Sequence, residues 1–408
     1  MMLPKFYEHK LENGLEIIAI PMNKGSNVIT SNIFYKVGSR NEILGKTGIA
    51  HMLEHMNFKS TKNLKEGEFD KIVKSLGGVD NASTGFDYTH YYIKTSSTYL
   101  DKTFYLFSEV MANLNLTDDE FQRERKVVYE ERLWRVDNNP IGYLYFRLFN
   151  NTFIYHPYHW TPIGFKDDIL NWTIDDIREF HSIYYQPKNA FLLVAGDIEP
   201  NEVFKSAEKY FSEIKNTKEL PRFHFNEPEL DGDKFIEIKR ETQVNIVALA
   251  FHIPSFNHED QIILSALTEM LSSGKSGILK EKLKYQKELV SEIYAYNMEL
   301  IDKGVYLALA VCNPGIDPHK VEKEIKKILL NFKPTKKLLK KIINNTKLDF
   351  ITSMESSSSV SNIFGDYFAK GDITPLLNYE ENISKLKLQD FENIKKYFEK
   401  GVSIILRN

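Results

Sequence analysis

A single cysteine, Cys312, is all the thiol chemistry this 408-residue chain contains. One cysteine excludes an internal disulfide and cannot build a thiolate metal cluster. No segment offers the roughly 18 consecutive apolar residues that a membrane helix needs. The N-terminal run "MMLPKFYEHKLENGLEI" lacks the basic-then-apolar order of a secretory leader. A reducing, cytoplasmic compartment and a chain that spans no membrane are therefore expected. Charge of one sign is also scarce: the formal balance is −3, which gives no global attraction to nucleic acid or anionic lipid. The apolar and charged fractions, 42% and 27%, are those of a folded globular protein rather than a disordered one.

The length suits two hydrophobic cores rather than one. Alternating runs "GLEIIAIPM", "NVITSNIFYKVGS" and "FDYTHYYIKTS" read as strands and "NAFLLVAGD" as a buried strand. Helices are expected over 66–76, 98–112, 118–137, 174–184 and 200–213. This mixture of hairpins and helices predicts an α+β fold. Residues 215–233 carry prolines and charge without apolar periodicity and read as a linker between domains at 1–214 and 234–408. The second domain opens with a strand, "VNIVALAFHI", and a helix, "EDQIILSALTEMLSS", a faint repeat of the strand-then-helix order in the first.

Chemistry concentrates in "GIAHMLEHMNF", residues 48–58. At 100° per residue His51, Glu54 and His55 share one helical face, while Ile49, Met52, Leu53 and Met56 occupy the other. Two imidazoles one turn apart can chelate one ion, and Glu54 stands close enough to accept a proton from water there. His-x-x-Glu-His is the inverzincin order. A catalytic zinc wants a third protein ligand, and "LTDDEFQRERKVVYEERLWRV" offers several carboxylates on one helix, capped by Thr117 with Glu120 at its third position. Helical phase puts Glu124 and Glu131 within about 20° of each other on an inward face with Phe121, Val127, Val128 and Trp134, whereas Glu130 points to solvent. Glu131 is thus assigned as the third ligand and Glu124 as an accessory acid. One Zn²⁺ per chain is the expected cofactor.

With these residues in place, the sequence resembles the pitrilysin and mitochondrial processing peptidase family of zinc metallopeptidases. "VGSRNEILGKTGIAHMLEHMNFKSTKN" is similar to the family's zinc-helix segment, and "ERKVVYEE" to its distal element, where an accessory Glu and a zinc Glu map onto Glu124 and Glu131. "GGVDNASTGFDYTHYY" resembles its edge strand, and "HPYHWTPIG" and "YYQPKNAFLLVAGD" its later landmarks. The resemblance implies two homologous α+β domains and a peptidase that acts on peptides or unfolded segments in a closed chamber. It also implies a homodimer, or a heterodimer with a homologous subunit, and a substrate strand that carries Asn81 and Ala82, with Ser83 and Thr84 beside them. One departure stands out: where family second domains often carry an Arg and, seven residues on, a Tyr, "LKYQKELVS" has Lys284 and Ser291. Serine is too short for the Tyr's work, so a partner subunit could be required for activity.

Two rivals follow from the same residues. A non-catalytic structural subunit would keep the fold and lose the chemistry. The lysine-rich "VEKEIKKILLNFKPTKKLLKKIINNTK" offers charge for nucleic acid or lipid, but apolar residues recur between its lysines at helical spacing, so solvated helix faces explain it and no nucleic-acid or membrane partner is expected. "SSSS" at 356–359 reads as a loop or a helix start.

Overall fold

The computed structural model describes residues 3–408. Its first sheet contains β1 (Tyr7–Lys10), β2 (Glu16–Pro21), β3 (Val28–Tyr35), β4 (Val79–Thr84), β5 (Thr89–Ser96) and β6 (Ala190–Gly196) in the order β1-β2-β6-β3-β5-β4. Only β2 and β6 run parallel. The second sheet contains β7 (Lys234–Lys239), β8 (Ile246–Ile253), β9 (Val290–Met298), β10 (Gly304–Cys312) and β11 (Val402–Arg407) in the order β7-β11-β8-β10-β9, with β7 and β11 parallel. Strands β2 to β6 and β7 to β11 therefore share one winding: the first beside the last, then the second, fourth and third. The faint strand-then-helix echo in the sequence is the trace of this repeat, and the architecture is the expected pair of α+β modules.

The helices are α1 (Ile49–Met56), α2 (Glu68–Ser75), α3 (Leu100–Ala112), α4 (Asp118–Arg132), α5 (Pro140–Thr152), α6 (Lys166–Asn171), α7 (Ile174–Tyr184), α8 (Pro200–Phe211), α9 (Gln261–Ser272), α10 (Pro318–Asn331), α11 (Lys336–Ser353) and α12 (Ser357–Lys370), with shorter turns after them. In the first unit α1, α3, α4, α7 and α8 bury their apolar faces in one core with Ile29, Ile33, Ile17 and Val194. In the second, α9 and α10 do the same with Val247, Leu249 and Phe251.

The two compact units are not the continuous stretches 1–214 and 234–408. One takes residues up to Arg132, Trp160–His224 and Ile351–Ile373, and the other takes Leu133–His159, Phe225–Phe350 and Thr374–Asn408. Each thus borrows a helix from the far half of the chain. In the first unit α12 packs on β3 and β6, and in the second α5 packs on β8 and β11. Both faces of the central strands are then covered, which explains why every residue of β6 and β8 is buried and why these strands read as unbroken apolar runs. Glycine makes the α12 contact possible, since a Cβ at Gly365 would stand 2.1 Å from the Phe34 ring. The serine run opens that helix, with Ser356 as its cap and Ser357 bonded to Thr30 at 2.9 Å.

Residues 215–233 contain neither helix nor strand, yet the segment is pinned. Glu227, 3% exposed, accepts the backbone N–H groups of Ile154, Tyr155 and His156. The lysine-rich run becomes α10 and α11, whose apolar residues face the second core.

Candidate metal centre

Helix α1 starts from Gly48, whose positive φ of 84° suits glycine, and a Cβ there would meet the Ile163 carbonyl at 2.7 Å. Its first N–H groups are satisfied from outside the helix: Glu42 accepts from Gly48 at 2.8 Å and Ala50 at 2.9 Å, and also from the Trp160 indole at 2.9 Å. Burial raises the Glu42 carboxyl to about 8 against the opposing pull of these donors. The helix divides as its periodicity predicts. Ile49, Ala50, Met52, Leu53 and Met56 are buried, and His51, Glu54 and His55 lie on the half-buried opposite face.

Packing of α4 on α1 delivers the third group. Glu131 Oε2 lies 3.6 Å from His51 Nε2 and 3.4 Å from His55 Nε2, and one ligand atom from each residue falls within 4.8 Å of the others. Two donors each about 2.1 Å from one tetrahedral ion sit about 3.4 Å apart, so this His₂Glu set fits zinc in spacing and in donor type. No other such group of His, Cys, Asp and Glu occurs among the described residues. Glu130 is exposed, as helical phase requires.

Glu124 stands outside this group of three and contacts one of its members. Its Oε1 lies 2.7 Å from His55 Nδ1, and its Oε2 is 2.6 Å from Lys59 Nζ, which also pairs with Glu66 at 3.3 Å. A carboxylate on Nδ1 fixes the tautomer that turns Nε2 toward a metal. Burial lowers the His55 pKa, but the hydrogen bonds and charges of Glu124 and Glu131 together outweigh it and raise it to about 9. Lys59 supplies the cation that a buried carboxylate such as Glu124 needs, and it lies just past the end of α1, so its pairing with α4 carries no local sequence signal.

Glu54 is held by strand β4, where the Thr84 hydroxyl donates to Oε2 at 2.5 Å. Beneath lie three buried polar groups: Asn57 donates to the Tyr91 hydroxyl at 2.5 Å, and Tyr91 and Tyr185 hydroxyls are 3.4 Å apart. Burial first, with the Glu54 charge a smaller contribution, pushes both phenols well above their ordinary range.

Strand β4 forms an edge of its sheet and alternates cleanly. Ala82 and Thr84 are half-buried on the side of α1, while Asn81 and Ser83 are exposed. Asn81 Oδ1 accepts the Ala82 N–H at 2.9 Å, and Ser83 bonds His90 at 3.0 Å. The four residues named from the sequence thus divide between two faces.

In the second unit, Lys284 is not a bare charge, because it pairs with Glu292 at 2.5 Å. Ser291 sits where β9 slips register against β10, beside Val311 and Cys312, and its hydroxyl donates to the Val311 carbonyl at 3.3 Å. Two residues expected on the inward face of α4 are instead exposed, Val127 at 51% and Trp134 at 71%. The buried stripe of α4 is narrower than its apolar one, and after Arg132 the chain continues as a π turn, Leu133–Asp137, that rotates Trp134 outward.

With this geometry in hand, family models match most of the chain: Insulinase (Peptidase family M16) over residues 17–158 and Peptidase M16 inactive domain over residues 171–346. The chain belongs to peptidase family M16. The candidate residues His51, Glu54, His55, Glu124 and Glu131 all fall in the first match, and the "inactive" match covers the repeat without the His-x-x-Glu-His. Among M16 relatives, Zinc protease PqqE of Helicobacter pylori is 49% identical over 97% of this chain and 91% of its own. Mitochondrial-processing peptidase subunit beta of Bos taurus is 26% identical over 77% of this chain and 66% of its own. A crystal structure of a protease from Helicobacter pylori superposes with a TM-score of 0.97 at 47% identity, covering both chains completely. The resemblance to the pitrilysin and processing peptidase family is borne out, and named relatives in that family are zinc proteases.

Proposed function

We propose that this chain is a zinc-dependent endopeptidase acting on peptides or unfolded segments. The observation that carries the reading is the convergence of His51, His55 and Glu131 on one point beside Glu54. His51 and His55 through Nε2, and Glu131 through Oε2, would hold the ion. Zinc bound there supplies a Lewis acid that makes water a competent nucleophile near neutral pH. Glu54, on the same face of α1, would accept a proton from the attacking water at its carboxylate and pass it to the leaving amine. Glu124 keeps His55 in its ligating tautomer, and Lys59 balances Glu124. Peptide adds along the open edge of β4, where its main chain takes over the Ala82 N–H from Asn81. The name of the M16 relative PqqE, Zinc protease, supports the metal and the reaction class.

Reaction inside a closed chamber and association with a second copy or a homologous subunit belong to the same proposal. Lys284 neutralised by Glu292 and the short Ser291 favour a partner that completes the substrate grip. The expected outcome is a purified chain that binds zinc and cleaves poorly until a homologous subunit is added; full activity of the isolated homodimer would contradict it. A cytoplasmic location is proposed on the lone, buried Cys312, and cell fractionation tests it.

The same two residues favour the second reading, a structural subunit without catalysis. An unstructured peptide library incubated with and without a chelator separates the two. Chelator-sensitive cleavage supports the peptidase; zinc content near zero with no cleavage supports the structural subunit.

A further inference from the structure

We infer that Thr84 is a positioning residue for Glu54, so that one strand both receives the peptide and aims the base. The inference rests on the peptidase reading above. Thr84 is the last residue of β4, half-buried on the side of α1, and its Oγ1 donates to Glu54 Oε2 at 2.5 Å. The threonine end of that bond is fixed. Thr84 is β-branched, which narrows its χ1 choice in a strand. Its backbone is paired with Thr89 of β5, whose hydroxyl is tied to the Val37 carbonyl at 2.9 Å.

Glutamate has three rotatable side-chain bonds, and a helix face alone does not select among their rotamers. The hydroxyl does, by fixing one carboxylate oxygen. The consequence follows from the alternation of β4: Ala82 and Thr84 face α1, while the main chain of the same strand offers its edge to an added peptide. Peptide register and base orientation are thereby set by one rigid element, the arrangement that brings reacting groups to working distance without further adjustment. The sequence placed Thr84 beside the substrate strand; its link to Glu54 spans thirty residues and carries no local signal.

The test compares Thr84→Val, Thr84→Ser and Glu54→Gln in the full zinc-loaded chain, with its partner subunit where activity needs one, on an unstructured fluorogenic peptide. Thr84→Val should keep wild-type zinc content and KM while kcat falls about 10- to 100-fold, the scale of a misplaced catalytic group. Thr84→Ser, which restores the hydroxyl, should recover kcat to within about threefold of wild type. If Thr84→Val disturbs zinc content, Thr84→Ala, which only deletes atoms, carries the same comparison. A wild-type kcat in the hydroxyl-free variant beside a dead Glu54→Gln overturns the inference and leaves the peptidase reading standing. So does a raised KM with unchanged kcat, which would make Thr84 a peptide contact. Turnover surviving in Glu54→Gln removes the peptidase mechanism and this inference together.

Discussion

Replacing Glu124 with glutamine changes one charge and almost no volume, and its expected effect is on zinc affinity rather than on the chemical step. The native carboxylate makes two close contacts, 2.7 Å to His55 Nδ1 and 2.6 Å to Lys59 Nζ. A glutamine oxygen can still accept from Nδ1, but the bond is no longer charge-assisted, a loss of about 1 to 1.5 kcal/mol. The amide also leaves the Lys59 charge uncompensated on that side, a further penalty for any cation held by His55. Together these correspond to about 1.4 to 2.7 kcal/mol, or a 10- to 100-fold weaker zinc complex, the usual range for losing a ligand's hydrogen-bonded support. Competition against a chromogenic chelator at fixed pH and ionic strength measures this directly. At saturating zinc, Glu124→Gln should retain far more turnover than Glu54→Gln. An affinity within twofold of wild type, combined with lost turnover, would refute the positioning role and make Glu124 a participant in the reaction.

Three further outcomes are expected. Glu131→Gln should lose bound zinc, while Glu130→Gln, one residue away and exposed, should keep it by elemental analysis; equal loss would contradict the ligand assignment. Gly365→Ala forces a methyl group into the Phe34 ring and should lower stability by about 1 to 3 kcal/mol in urea unfolding, with an unchanged midpoint arguing against the close packing of α12. Burial lowers His90 and His181 to about 4, below their unfolded value of roughly 6.5. Their neutral forms are therefore favoured by folding, so this stability is intact above pH 6.5 and lost as the pH falls toward 4. His181→Gln should flatten that acid limb in urea midpoints taken between pH 7 and 4.5, and an unaltered slope would contradict the account.

Periodicity carried the sequence reading wherever one helix decides the outcome. His51, Glu54 and His55 separate from Ile49, Met52 and Leu53 because 100° steps leave no alternative, and the same phase argument favoured Glu131 over Glu130. Thr117 capped α4 as expected, its hydroxyl accepting the Glu120 N–H at 3.3 Å and donating to the Glu120 carboxylate at 2.8 Å. Phase failed at Val127 and Trp134, where it counts apolar residues without knowing how wide the packed stripe is or that α4 loosens into a π turn. The exchange of α5 and α12 was not legible, because an amphipathic helix records that it has a sheet to cover but not which one. Lys59 on Glu124 and Thr84 on Glu54 were missed as contacts because they join residues from different elements, 65 and 30 positions apart. The repeated winding of the two sheets left only one strand-then-helix echo, since strand order is set by pairing and not by local pattern.

The account stands most directly on Glu54→Gln in the zinc-loaded protein, assayed for bound metal and for cleavage of an unstructured peptide. One zinc per chain, as in the wild type, with cleavage abolished, is the predicted result. Cleavage at the wild-type rate would contradict it.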